Sequence, residues 1–149
     1  MGDVRGSAGA VTGTVLVDTN VFTARLRERS PLATRYAKHL FGLRIALAPQ
    51  TIAEARYGAL KAKWGPARQE RLARLVARAR ILPVDIDTIE AVANLRNQCR
   101  MIGHPLHQGN RNADLWIAAT AIRWSIPLVA HDAVFAGCPG IQLLTELAG

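Results

Sequence analysis

Residues 14–20 read Thr14-Val15-Leu16-Val17-Asp18-Thr19-Asn20. The first four are β-branched or aliphatic, are bounded by Gly13 and Asp18, and show no helical period, so they predict a short buried strand. An acid stands directly at its end, and Asn20 is placed to cap a following turn of helix. A strand this apolar predicts the centre of a sheet covered on both faces.

The pattern outward from this strand alternates. Ser30 followed by Pro31 predicts a helix that stops at Gly42. Residues 43–48 predict a second strand ending at Pro49, and residues 51–63 a helix. Gly65-Pro66 breaks that helix and starts another. In the new helix Leu72, Leu75, Val76 and Ala79 share one face, while Arg71, Arg74 and Arg78, extended by Arg68, share the other, which reads as solvated. A third strand is predicted at residues 81–84. Asp87 and Glu90 fit a capping box for a helix with the stripe Ile89, Val92, Leu95, Cys99 and Ile102. A polar loop, residues 103–111, precedes a helix capped by Asn112 that reaches Trp124 and is apolar on nearly all sides. Residues 127–130 and 140–144 predict two more strands. Strands alternating with helices give an α/β domain with a mostly parallel central sheet. The domain is expected at residues 14–147, with residues 1–13 a Gly- and Ala-rich lead-in.

Bulk properties narrow the function. The chain has 149 residues, half of them hydrophobic, which suits one domain with its own core. There is no run long enough to span a membrane and no apolar core of a signal peptide, so a cytoplasmic protein is expected. Cys99 and Cys138 lack the C-x-x-C spacing of a thiolate zinc site. The net charge of +8 suits an acidic partner such as nucleic acid or an acidic protein.

In an open α/β sheet, ligands bind beyond the carboxyl ends of the strands. Four acids from separate segments are expected there. Asp18 follows the first strand and Asp132 the fourth; Glu54 lies early in the helix after the second strand, and Asp114 in the first turn of the apolar helix. Carboxylates gathered together repel each other, and a divalent cation such as Mg²⁺, with Mn²⁺ as a substitute, relieves the repulsion with oxygen ligands. Singly, each acid reads more readily as a turn, cap or solvated residue; their joint placement carries the argument.

Other chemistries fit less well. No G-x-S-x-G elbow accompanies His104, His107 and His131. An aspartyl phosphatase would need a second acid where Asn20 stands. No Gly-rich loop suits a nucleotide phosphate, and Trp64, Trp116 and Trp124 are not interleaved with basic residues as a base-stacking platform would be. Trp116 reads as core or as a dimer contact.

The stretch Val17-Asp18-Thr19-Asn20-Val21-Phe22 resembles the opening motif of PIN-domain nucleases, and more narrowly that of VapC-like toxins of type II toxin–antitoxin pairs. Asn112-Ala113-Asp114-Leu115-Trp116-Ile117-Ala118-Ala119-Thr120-Ala121 is similar to their second signature. Glu54 with Gly58 resembles the family's glutamate helix. Pro127-Leu128-Val129-Ala130-His131-Asp132, with Phe135 and Pro139-Gly140-Ile141, resembles its closing segment. The resemblance runs from Val15 to the C-terminus. It implies the three-layer α/β/α PIN sandwich, Mg²⁺-dependent RNA cleavage, a homodimer, and a small antitoxin as inhibitor. It also implies Asp18 and Asp114 as direct metal ligands, and Glu54 and Asp132 as acids binding metal directly or through water. Asn20 would steady the site, and Thr19 is a weaker candidate for the same part. A housekeeping RNA-processing nuclease and a non-catalytic binding module are the alternatives.

One departure stands out. Ala130 occupies a position where family members often carry Thr or Ser, and the missing hydroxyl is expected to loosen Asp132 or leave its support to water. His104, His107 and Arg111 are placed to touch RNA phosphate, with a solvated loop the bland alternative for the histidines. His131 points into the cleft or away from it. The expected chemistry is in-line attack on phosphorus by metal-activated water, with basic residues orienting the backbone.

Overall fold

The computed structural model describes residues 13–147; the expected lead-in lies outside the described residues apart from Gly13, whose carbonyl accepts from the Arg44 amide. Strand β1 (Thr14–Val17) forms where the apolar run predicts it and is buried throughout. In chain order follow α1 (Thr19–Ala24), α2 (Pro31–Leu40), β2 (Arg44–Leu47), α3 (Pro49–Lys61), α4 (Pro66–Arg78) and β3 (Arg80–Ile81). Then come α5 (Ile86–Ile102), α6 (Asn112–Trp124), β4 (Leu128–Val129) and β5 (Leu143–Leu144). Two short 3₁₀ turns, Pro105–His107 and Gly109–Arg111, separate α5 from α6, and a third, Ala133–Phe135, follows β4.

The strands make one parallel sheet in the order β3-β2-β1-β4-β5. Successive side chains on a strand point to opposite faces, and this divides the interior in two. Val15, Val17, Leu47 and Val129 face α1 to α4, packing with Phe22, Tyr36, Ala55 and Leu72. Leu16, Ala46 and Leu128 face α5 and α6, packing with Leu95, Cys99, Leu115 and Ile117. The result is the three-layer α/β/α sandwich. Among the described residues no helix is long and apolar enough to cross a membrane.

Several local expectations are corrected. Asp18, not Asn20, caps α1, accepting the Val21 amide at 2.8 Å; Asn20 lies inside the helix. Helix α3 begins at Pro49, two residues earlier than expected, with proline at its first helical position. The α5 capping box is Asp85 with Thr88 rather than Asp87 with Glu90. Arg111 occupies the N-cap position of α6, and Asn112 is already helical. The third strand is two residues long and begins one residue early, at Arg80. On α5 the buried line is Thr88, Leu95 and Cys99, whereas Ile89 and Ile102 at the flanks of the stripe are exposed.

The arginine face of α4 is not simply solvated. The Arg68 guanidinium lies over the Trp64 ring, Arg71 Nη2 donates to the Arg25 carbonyl at 2.9 Å, and Arg74 pairs with Glu70 at 3.2 Å.

Candidate active site

The sheet order fixes where a site can form. The chain leaves β1 toward β2 and β3, then returns to the other side of β1 for β4, so the carboxyl ends of β1 and β4 flank a topological switch point. Asp18 follows β1 and Asp132 lies three residues past the end of β4. Helix α3 rises from the end of β2 and carries Glu54 in its second turn. Helix α6 carries Asp114 in its first turn, where the helix dipole favours a carboxylate.

Asp18 is the buried member, 3% exposed. Its Oδ1 accepts the Val21 amide, and its Oδ2 accepts the His131 amide at 3.2 Å. Burial pushes its carboxyl up to about 6 against those two amides, and the charges of Asp132 and Asp114 add to the rise. The Asp114 carboxyl is also raised, first by burial and then by Asp132, with Glu54 contributing and Arg111 opposing. Asp18, Asp114 and Asp132 are thus within range of one another's charge, and Glu54 of that of Asp114. They do not converge on a point: among the described residues no group of three or more His, Cys, Asp and Glu side chains is gathered so that it could hold a metal ion. Glu54 and Asp132 each accept a hydrogen bond from a nearby donor, and Asp114 faces a guanidinium at longer range. Thr19 Oγ1 donates to Glu54 Oε1 at 2.7 Å, Arg111 Nη1 lies 3.7 Å from Asp114 Oδ2, and the Val134 amide donates to Asp132 Oδ1 at 3.0 Å.

The supporting residues sort themselves by contact. Asn20 Nδ2 donates to the His131 carbonyl at 3.1 Å, tying α1 to the segment that carries Asp132. Thr19 orients Glu54, a stronger part than a turn residue would play. Tyr36 was not foreseen. It is a fully buried phenol on α2 whose hydroxyl meets the Ala130 carbonyl and His131 Nδ1. A tyrosine on an amphipathic helix reads as core, and only the packing of α2 against the end of β4 reveals its polar end.

The histidines divide. His104 is buried; its Nδ1 accepts the Leu106 amide and its Nε2 therefore donates to the Ala136 carbonyl at 2.8 Å, so it braces the loop rather than meeting phosphate or solvent. His107 Nδ1 donates to the His104 carbonyl at 2.6 Å. The ring of His131 turns to Tyr36, with centroids 5.4 Å apart. Trp116 is half-buried and lines an apolar groove of about 620 Å³ with Ile89 and Val92 of α5. Burial pushes the Cys138 thiol up to about 12, against any nucleophilic use.

A family model described as PIN domain matches residues 15–139. Two curated proteins of Mycobacterium tuberculosis (strain ATCC 25618 / H37Rv) are similar. Ribonuclease VapC5 is 35% identical over 127 residues, covering 84% of this chain and 87% of the relative. Ribonuclease VapC4 is 30% identical over 134 residues, covering 87% and 95%. Among solved structures, VapBC-5 of Mycobacterium tuberculosis, a member of the VapBC family of toxin–antitoxin systems, aligns with a TM-score of 0.65 and 30% identity, covering 89% of this chain and 98% of that one. VapBC2 of Rickettsia felis, bound to a DNA fragment from its promoter, aligns with a TM-score of 0.74 at 22% identity, covering 89% and 98%.

Proposed function

The chain belongs to the PIN-domain family and, within it, to the VapC-type toxins of toxin–antitoxin pairs, and from that premise we propose that it is a Mg²⁺-dependent endoribonuclease held in check by a small cognate antitoxin. The observation that supports this reading is that acids from four separate elements lie toward the switch point of the sheet, with Asp114 and Asp132 close enough to raise the Asp18 carboxyl, and Asp132 that of Asp114. Their oxygens are hard donors of the kind Mg²⁺ and Mn²⁺ take. Asp18 and Asp114, whose carboxyls burial and neighbouring charge push upward, are the groups a cation would relieve most. Asp18, Asp114, Glu54 and Asp132 would hold it. A bound Mg²⁺ supplies charge neutralisation at phosphorus and an ionised water for attack.

The chain's own residues do the rest. Two backbone amides fix the Asp18 carboxylate, Thr19 holds Glu54, and Asn20 steadies the segment bearing Asp132. Arg111, loosely paired to Asp114, has a planar fork suited to phosphate oxygens. Cleavage would leave a 5′-phosphate and a 3′-hydroxyl and need no ribose 2′-hydroxyl. The partners proposed are RNA, the antitoxin and a second copy of the chain.

A cleavage assay with and without Mg²⁺ tests the reading. Asp114→Asn should abolish cleavage and weaken Mn²⁺ binding in calorimetry while the circular dichroism of the fold persists. An unchanged Mn²⁺ titration would remove Asp114 from the site. Light scattering showing a monomer at micromolar concentration would remove the homodimer, and an antitoxin complex that kept full activity would remove occlusion of the site.

A further inference from the structure

The residues just beyond β4 connect the two halves of the acidic site. His131 presents its amide to Asp18 and its carbonyl to Asn20, and Asp132 follows. This segment is not in a strand, so its position depends on what grips it. Backbone pairing reaches as far as the Ala130 amide, which donates to the Leu144 carbonyl at 3.1 Å. Beyond that point the Ala130 carbonyl and the His131 ring meet the Tyr36 hydroxyl, at 3.1 Å and 2.8 Å.

That hydroxyl is a junction. It also accepts the Glu146 amide at 2.9 Å and lies 3.3 Å from Thr145 Oγ1, so α2, the end of β4 and the segment after β5 meet at one buried atom. Tyr36 itself is 0% exposed. A phenol has one proton to give. The assignment that satisfies the whole set has the phenol donating to the Ala130 carbonyl while accepting from Glu146 and from His131 Nδ1–H. A phenylalanine would keep the ring in the core but strand the buried Ala130 carbonyl and take away the partner of the Glu146 amide.

We propose that Tyr36 is a positioning residue of the acidic site: its hydroxyl holds residues 130–132 so that the His131 amide stays on Asp18 and Asp132 stays beside it. The proposal rests on the nuclease reading for its catalytic consequence. Its structural content is independent of that reading, because the contacts exist in the protein alone.

Two variants separate the hydroxyl from the ring. Tyr36→Phe removes only the hydroxyl, and Tyr36→Leu removes both. In metal-free protein, amide hydrogen exchange is read at His131 and Val134, with the Leu128 amide, paired to the Gln142 carbonyl, as an internal control. Global destabilisation would speed all three amides together. Local loosening should speed His131 and Val134 about tenfold relative to Leu128 in Tyr36→Phe. In Mg²⁺ the folded Tyr36→Phe protein should lose kcat by about tenfold with little change in KM, the low end of what the outer partners of metal ligands cost. Tyr36→Leu should resemble Tyr36→Phe in both readouts. Unchanged relative exchange at His131 in Tyr36→Phe, or a phenylalanine variant that matches wild-type kcat while only the leucine variant fails, would overturn the proposal and leave Tyr36 a packing residue. A wild-type protein that cleaves no RNA would overturn the nuclease reading instead, and the exchange ratio would still decide whether the hydroxyl holds the segment.

Discussion

Asp18 does three things with one carboxylate. It ends β1, caps α1 through Val21, and anchors His131. Two of these duties favour the ionised form, yet burial dominates and the carboxyl is pushed up to about 6. The folded protein therefore holds the Asp18 proton more tightly than the unfolded chain does. Its contribution to stability is present below the ordinary carboxylate value and is lost as pH rises through the folded one. Asp18→Asn removes that dependence, although the amide group cannot accept from both the Val21 and the His131 amides. The expected result, from urea unfolding of metal-free protein, is a shift in the variant's favour of about 2 kcal/mol between about pH 3.5 and pH 7.5. Parallel pH profiles for the two proteins would mean that Asp18 is no more desolvated than a surface acid. At this scale the placement of Asp18, Asp114 and Asp132 was legible in the sequence because each stands next to the start or end of a strand or helix, whereas Glu54 lies within its helix. Tyr36 was not legible, since nothing in its own segment says that a phenol oxygen will meet residues nearly a hundred positions away. The same holds for Ala130. Its missing hydroxyl is expected to loosen Asp132, but that carboxylate accepts the Val134 amide, and Asn20 and Tyr36 grip the backbone around it.

Helix α5 illustrates why elements were easier to read than their ends. Its apolar spacing announced the helix but did not fix its cap. The local pattern favoured Asp87 with Glu90, whereas the fold uses Asp85, whose carboxylate takes the Thr88 amide and hydroxyl and also a two-pronged contact from Arg123 of α6. The cap itself is local, Asp85 with Thr88 three residues on, and the distant Arg123 adds a second hold on the same carboxylate. The edge strands β3 and β5 exist where expected but are two residues long, shorter than the runs 81–84 and 140–144 that announced them, because an apolar or turn-flanked run does not say how many of its residues will lie in the ladder. Asp85 gives a test at this scale. Its carboxyl is held well below the usual range, first by the Arg123 hydrogen bonds and then by the Thr88 amide. A depressed carboxyl contributes stability above the ordinary carboxylate range and loses it as pH falls. The pair is more than a third exposed at Asp85, so screening leaves the cap as the main term. Asp85→Ala should cost about 1 kcal/mol near neutral pH, and the difference from wild type should shrink on acidification. A penalty that grew toward low pH would contradict the assignment of the cap.

Over the whole molecule the charge is uneven: a chain of net charge +8 keeps several of its few acids at one end of its sheet. Its arginines are not equivalent. Arg71 is committed to the Arg25 carbonyl, Arg74 to Glu70 and Arg123 to Asp85. Arg111 differs because its only ion pair among the described residues is the 3.7 Å approach to Asp114, longer than a hydrogen bond, with the side chain still partly exposed. Its charge remains available to a phosphate brought to the acids. Arg111→Ala should therefore slow cleavage of every RNA sequence with little change in the site chosen, because a phosphate contact positions and does not specify. If the guanidinium serves binding alone, the loss belongs to affinity; if the contact tightens as charge develops on phosphorus, it belongs to the single-turnover rate. Removing Arg111 also removes the one group that opposes the rise of the Asp114 carboxyl, so Mn²⁺ affinity must be measured beside the rate to separate the two effects. Arg74→Ala should change little, as the loss of an exposed pair one helical turn apart usually does. Affinity for single-stranded RNA should fall with rising salt, and the log–log slope should be shallower by about 0.7 in the variant that has lost one phosphate contact. An Arg111→Ala protein with unchanged single-turnover rate, affinity and salt slope would take Arg111 out of the site and leave it as the residue that ends the loop before α6.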